Sequence, residues 1–108
     1  MLKAILPDRL PSETQLLANY PNPFNPETWI PFELADDAEV TVTIYDVQGK
    51  RIRQLQLGQV TPGKYVTADQ AAYWNGKTET GEVVSSGTYF YQLQAGDYTE
   101  TRKMVILK

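Results

Sequence analysis

From Thr28 onward the chain alternates apolar and polar residues with a period of two. Thr28, Ile30, Phe32 and Leu34 fall on one face of an extended segment, and Trp29, Pro31 and Glu33 on the other. Asp36-Asp37 then marks a turn. Val40, Val42 and Ile44 alternate with Thr41, Thr43 and Tyr45, the clearest half-buried strand in the sequence. Asp46-Val47-Gln48-Gly49 predicts a hairpin loop in which Gly49 takes positive φ. The return strand, Lys50 to Leu57, carries Ile52 and Leu55 at an odd spacing, which predicts a bulge or a change of face.

The second half is punctuated in the same way. Thr61-Pro62-Gly63 predicts a type II turn with Gly63 left-handed. Lys64 to Trp74 holds one or two short strands parted near Ala68-Asp69-Gln70. Asn75-Gly76 and Thr80-Gly81 are turn pairs. Ser86-Gly87 opens a strand with Tyr89, Tyr91 and Leu93 on one face. Ala95-Gly96-Asp97 reads as a hairpin, and Tyr98 to Leu107 as the last strand.

Ahead of this pattern, residues 1–14 read as a linker, followed by a leading strand over Gln15 to Tyr20. Pro21-Asn22-Pro23-Phe24-Asn25-Pro26 comes next. Three prolines in this run remove three amide donors and hold their preceding residues extended. It cannot be a central strand, so it predicts a rigid loop across an edge or end of the fold. The sum is about seven short strands with turn signals roughly every ten residues, which predicts an all-β, immunoglobulin- or fibronectin-like β-sandwich over residues 15–108. A small barrel is the runner-up.

Composition narrows the function. The 108 residues suffice for one domain with a modest core. Net charge is −3, and the basic residues are scattered apart from Lys50, Arg51 and Arg53, which argues against a nucleic-acid partner. No apolar run approaches the ~20 residues needed to span a bilayer. The apolar start is too short for a signal peptide, so an exported domain would depend on a signal elsewhere on a longer parent chain.

The chain has neither Cys nor His, which removes disulfides, thiolate chemistry and imidazole-bound zinc. Ser12, Ser85 and Ser86 have no histidine to activate them, and no enzyme is expected. Glu33, Asp36, Asp37 and Glu39 fall within seven residues on a turn. They read as a solvated loop, with a calcium ion as the weaker alternative because hard cations favour clustered oxygens; the spacing is not that of an EF-hand. No other cofactor is indicated. Trp29 lies off the core face, where its ring either anchors a protein or glycan partner or packs beneath the proline-rich loop.

Several strings carry a family resemblance: Asn19-Tyr20-Pro21-Asn22-Pro23-Phe24-Asn25-Pro26, Ile30-x-Phe32-x-Leu34, Ile44-Tyr45-Asp46-x-x-Gly49-Lys50, Trp74-Asn75-Gly76, Gly81, Ser86-Gly87-Thr88-Tyr89 and Lys103-Met104-Val105. Over Leu16 to Lys108 the chain resembles the C-terminal sorting domains (type A) of the type IX (Por) secretion pathway. It is similar also to the immunoglobulin-like domain of flagellar hook-capping proteins. The resemblance implies a non-catalytic module that directs secretion or cell-surface attachment of a larger exported bacterial protein. Its partners would be an outer-membrane translocation machinery and the parent's upstream domains, and its location the cell surface or extracellular space, reached through the periplasm. The alternative is a structural or adhesive sandwich making protein or glycan contacts. By motif, the recognition candidates are Pro21, Asn22, Pro23, Asp46, Gly49, Gly87, Tyr89 and Lys103, with Trp29 added as a possible anchor. Each also has a structural explanation: backbone angle for the glycines, core packing for Tyr89, an edge for the prolines. Trp29-Ile30-Pro31 and the longer Ala68 to Tyr73 stretch depart from the family pattern.

Overall fold

The computed structural model describes residues 10–108, so most of the expected linker over 1–14 lies outside the described residues. Nine strands follow: β1 (Gln15–Leu16), β2 (Thr28–Ile30), β3 (Phe32–Leu34), β4 (Ala38–Tyr45), β5 (Arg51–Val60), β6 (Gly63–Tyr65), β7 (Ala72–Trp74), β8 (Gly87–Ala95) and β9 (Tyr98–Ile106). The long ones form one antiparallel sheet in the order β5-β4-β8-β9. The short ones form two small sheets, β1-β3-β6 and β2-β7. Their inner residues share one core, which includes Leu16, Ile30, Phe32, Val42, Trp74, Tyr91 and Met104. The all-β sandwich expected from the alternation is the fold observed.

The run from Thr28 to Leu34 keeps its period: Thr28, Ile30, Phe32 and Leu34 are all buried. Yet it is not one strand. β2 pairs with β7, whereas β3 pairs with β1 and β6. Pro31 sits at the break, where a residue without an N–H cannot carry a ladder across. Its carbonyl still accepts from Leu17 N at 3.0 Å. The leading strand is correspondingly shorter than expected, two residues at Gln15–Leu16 plus a single bridge between Tyr20 and Trp29.

The odd spacing of Ile52 and Leu55 has the predicted cause. The β4–β5 register slips at Ile52 and again at Leu57, so β5 is bulged twice. The second bulge uses Gly58 at φ +79°, and the type II turn expected at Gly63 is absent. Gly63 instead opens β6 opposite Leu34 and lies under the Tyr65 ring. The left-handed position moved because a bulge needs it and an extended, paired Gly63 does not.

Buried polar groups tie the two layers together. The Tyr91 hydroxyl, in the core, donates to Leu17 O at 2.9 Å and accepts from Asn19 N at 3.0 Å. Burial, opposed by the Asn19 amide and Arg102, pushes the Tyr91 phenol above its ordinary range. Asn19 Nδ2 donates to Thr28 Oγ1 at 3.0 Å, while Asn19 Oδ1 is buried with no partner.

Candidate interaction surface

The strand registers define two ends of the sandwich. Tyr45, Phe90 and Lys103 are successive partners across β4, β8 and β9, and Gly87 pairs with Ile106. The β4–β5 loop, the start of β8 and the finish of β9 therefore lie at one end. Ala38, Val60, Ala95 and Tyr98 lie together toward the other, beside Asp36-Asp37 and the Gly96-Asp97 turn.

At the first end, Asp46 builds the hairpin loop from its own side chain. Its Oδ1 accepts from Gln48 N and Lys50 N, both at 2.9 Å, and its carbonyl accepts from Gly49 N at 3.0 Å. Gly49 takes φ +83°, as expected, with open space where a Cβ would stand. The loop presents Val47, 67% exposed, at its tip. Gly87, at φ +149°, opens β8. Tyr89 is buried with its edge toward Trp74 at 6.2 Å, and its hydroxyl donates to Ser85 O at 2.8 Å, fixing the turn ahead of Gly87.

Asp46, Gly87 and Tyr89 line one open cleft of about 370 Å³. Its apolar side is Val47, Ile52 and Val84, and Thr78, Ser85 and Ser86 supply hydroxyls. The exposed apolar residues Val83 and Leu107 sit on the flanking hairpin and just beyond β9. Sequence reasoning passed over Val47, Val83 and Leu107; for Val47 an apolar residue in a turn is itself the signal. Ser86 Oγ accepts from Lys108 N at 3.0 Å, and the Lys108 Nζ donates to Val84 O.

Pro21, Asn22 and Pro23 are exposed along the free side of β9. Phe24, 2% exposed, drops from them into the core and packs edge-on to Trp74 at 5.7 Å. Around it the backbone bonds as a short parallel strand: Phe24 N donates to Val105 O at 3.0 Å, and Leu107 N to Phe24 O at 3.1 Å. Asn22 Oδ1 takes the neighbouring Val105 N–H at 3.0 Å. Lys103 is exposed on the outer face of the large sheet, at the end of a row running Arg51, Tyr45, Phe90, Lys103.

Trp29 stands apart from all of these. It is half-buried on the outer side of the β2-β7 sheet, stacked on Tyr20 at 6.2 Å and tilted against Tyr73 at 5.5 Å. The Tyr73 hydroxyl donates to Glu27 Oε1 at 2.6 Å, and that bond, with burial, raises the phenol's pKa.

The acidic turn gathers no ligand set. Glu33 Oε1 is bonded to Gln15 Nε2 at 3.0 Å, while Asp36 and Asp37 border an open cleft with Glu13 and Asp97. Among the described residues no three carboxylates come close enough to share an ion.

A two-layer antiparallel sandwich of this kind is an immunoglobulin-like domain. Comparison with known proteins makes the class specific. The sequence profile of the FlgD Ig-like domain matches residues 24–99. The chain belongs to that family, whose domains are structural rather than enzymatic. FlgD from P. aeruginosa superposes with a TM-score of 0.52 at 26% identity, covering 68% of this chain and 54% of that one. Two proteins of Porphyromonas gingivalis share the fold at 19% identity. Dimeric latent PorU matches with a TM-score of 0.62 over 85% of this chain, and 9% of its own. PorZ, an essential bacterial surface component of the type-IX secretion system, matches with 0.59 over 90% and 12%. The chain thus spans about half of the FlgD chain and about a tenth of the other two. No curated protein matches it. No helix among the described residues is long and apolar enough to cross a membrane.

Proposed function

We propose that this domain is a non-catalytic module directing secretion or cell-surface attachment of a larger exported bacterial protein, through recognition by outer-membrane translocation machinery. The observation that carries the reading is the gathering of motif residues at one end. Asp46, Gly87 and Tyr89 share a cleft, and Asn22 and Lys103 flank the finish of β9 at that same end. Much of what these residues do is shape that end: Asp46 and Gly49 hold the loop, Tyr89 and Gly87 set the turn, Asn22 covers the strand. The result is a rigid surface on which Val47, Val83 and Leu107 are left for a partner. A likeness to PorU and PorZ over small parts of both proteins supports a modular reading.

The test is export. Residues 15–108 are fused behind a reporter carrying its own signal peptide, in a host with the type IX pathway. Val47→Asp and Lys103→Glu, both on exposed side chains, should leave the melting curve intact and reduce surface delivery severalfold. Full delivery with each folded variant, and with the domain deleted, would reject the proposal.

One observation favours a second reading, an adhesive sandwich that meets a protein or glycan. Tyr20, Trp29 and Tyr73 line up on the outside of the β2-β7 sheet, with Tyr73 46% exposed. Aromatic faces of this kind stack on apolar ring surfaces. Indole fluorescence that responds to oligosaccharides or to the parent's other domains, and is lost in Trp29→Ala, would favour it.

A further inference from the structure

The free side of β9 is only partly covered. Phe24 and Asn22 take the N–H and C=O groups of Val105 and the N–H of Leu107, so odd-numbered residues direct their backbone groups away from β8. The alternation of an antiparallel ladder then aims those of Thr99, Thr101 and Lys103 outward too. Among the described residues these carry no backbone partner on that side. The open stretch is bounded by the Asn22–Phe24 segment at one end and the Gly96-Asp97 turn at the other.

We infer that this stretch pairs with β9 of a second copy of the chain, antiparallel about a two-fold axis at Thr101, joining two four-stranded sheets into one. The charges on the strand select both the occupant and the register. Outward-facing residues must oppose outward-facing residues, so the symmetric registers differ in steps of one residue at the axis. An axis at Glu100 sets two glutamates opposite each other, and an axis at Arg102 two arginines. Like charges directly opposite are destabilising. With the axis at Thr101, Glu100 of each chain faces Arg102 of the other, Lys103 faces Thr99, and Thr101 faces itself. Within one chain Arg102 Nη1 pairs with Glu100 Oε2 only at 4.0 Å, and Glu100 Oε1 is taken by Leu16 N and the Tyr98 hydroxyl. Glu100 Oε2 and the remaining guanidinium N–H groups are therefore the atoms that would reach across the axis. In this register the partner's Asp97 turn arrives beside Val105, where the Asn22–Phe24 segment ends the ladder. Edge charges commonly deter sheet-to-sheet association; here they reject neighbouring registers and admit one closed pair.

The chain has no cysteine, so single substitutions report the register cleanly. Residues facing each other in such a pair have Cα atoms about 5.5 Å apart, within disulfide range. Under mild oxidation of the full chain, Thr101→Cys should form a crosslinked dimer at several times the yield of Thr99→Cys or Lys103→Cys alone. Mixing those two should restore crosslinking. Sedimentation should show a concentration-dependent dimer for the unmodified chain. Glu100→Arg and Arg102→Glu should each be monomeric alone and associate when mixed. Equal yields at all three positions, a monomer at every concentration, or dimers untouched by either charge reversal would overturn the inference. Circular dichroism on each variant separates loss of pairing from loss of fold, and the cysteine pattern decides the matter even if a charge variant unfolds.

Discussion

Asn22 accepts a hydrogen bond from the backbone N–H of Val105, 83 residues further along, at 3.0 Å. The side-chain amide continues the pairing made by Phe24: its oxygen takes the place of the backbone carbonyl that a parallel strand would offer to Val105 N–H. Pro21 and Pro23 can flank it because they face solvent, where no ladder bond is required. Asn22→Ala should destabilise the domain by about 0.5–1.5 kcal/mol, the loss of one exposed hydrogen bond. Phe24→Ala should cost about 3–5 kcal/mol, since it empties a core site. Urea denaturation of both variants checks the ranking.

Tyr91→Phe removes a single oxygen but strands two buried backbone groups, Leu17 O and Asn19 N. The expected loss is about 1–3 kcal/mol, with the fold retained. Thermal melts should show it, and amide exchange should quicken first at Asn19.

Two glycines separate backbone angle from space. Gly49 and Gly76 both have positive φ, +83° and +78°. A Cβ on Gly49 would meet nothing, whereas one on Gly76 would lie 2.3 Å from Pro26 O. Gly49→Ala should therefore cost about 1–2 kcal/mol, and Gly49→Asn less. Gly76→Ala should cost more than either, because the Pro26 backbone must move. Comparing the three denaturation midpoints tests this order.

Alkaline stability should fall in a defined window. The Tyr98 hydroxyl donates to Glu100, and this bond, with burial and the nearby carboxylates, pushes the phenol up to about 12. A phenol whose folded pKa lies above its unfolded value of about 10 adds stability that is complete below pH 10. That stability drains away between pH 10 and about 12. Glu100 behaves oppositely. Burial raises its pKa, but the Tyr98 hydroxyl, the Leu16 amide and Arg102 outweigh it and hold the carboxyl below its ordinary range. Its contribution is present above the unfolded carboxylate pKa and is lost as acid carries the solution down through the folded one. Tyr98→Phe should flatten the alkaline limb of a melting-temperature profile and soften the acid one.

The parts legible in the sequence were those fixed by neighbours along the chain. The alternation of Val40, Val42 and Ile44, the Asx loop at Asp46–Gly49, and the core face of Tyr89, Tyr91 and Leu93 all follow from period and turn chemistry. The parts that were not legible depend on distant partners. Nothing local says that the run through Pro31 divides between two sheets, or that Gly58 rather than Gly63 takes the left-handed angle. Nor does it say that Asn22 meets Val105. Trp29 was placed off the core face correctly, but its neighbours Tyr20 and Tyr73 come from segments far apart. Phe24, a lone large apolar residue among prolines, carried a signal of burial that was open to reading.

The bridge between Phe24 and Ile106 has a consequence for how the molecule is made. A segment near the beginning of the domain cannot settle until the final strand has left the ribosome, because Phe24 lacks its backbone partners and the core lacks Met104 and Ile106 until then. Closure of the domain therefore waits for β9, and until that strand emerges the preceding strands lack both an edge partner and part of their core.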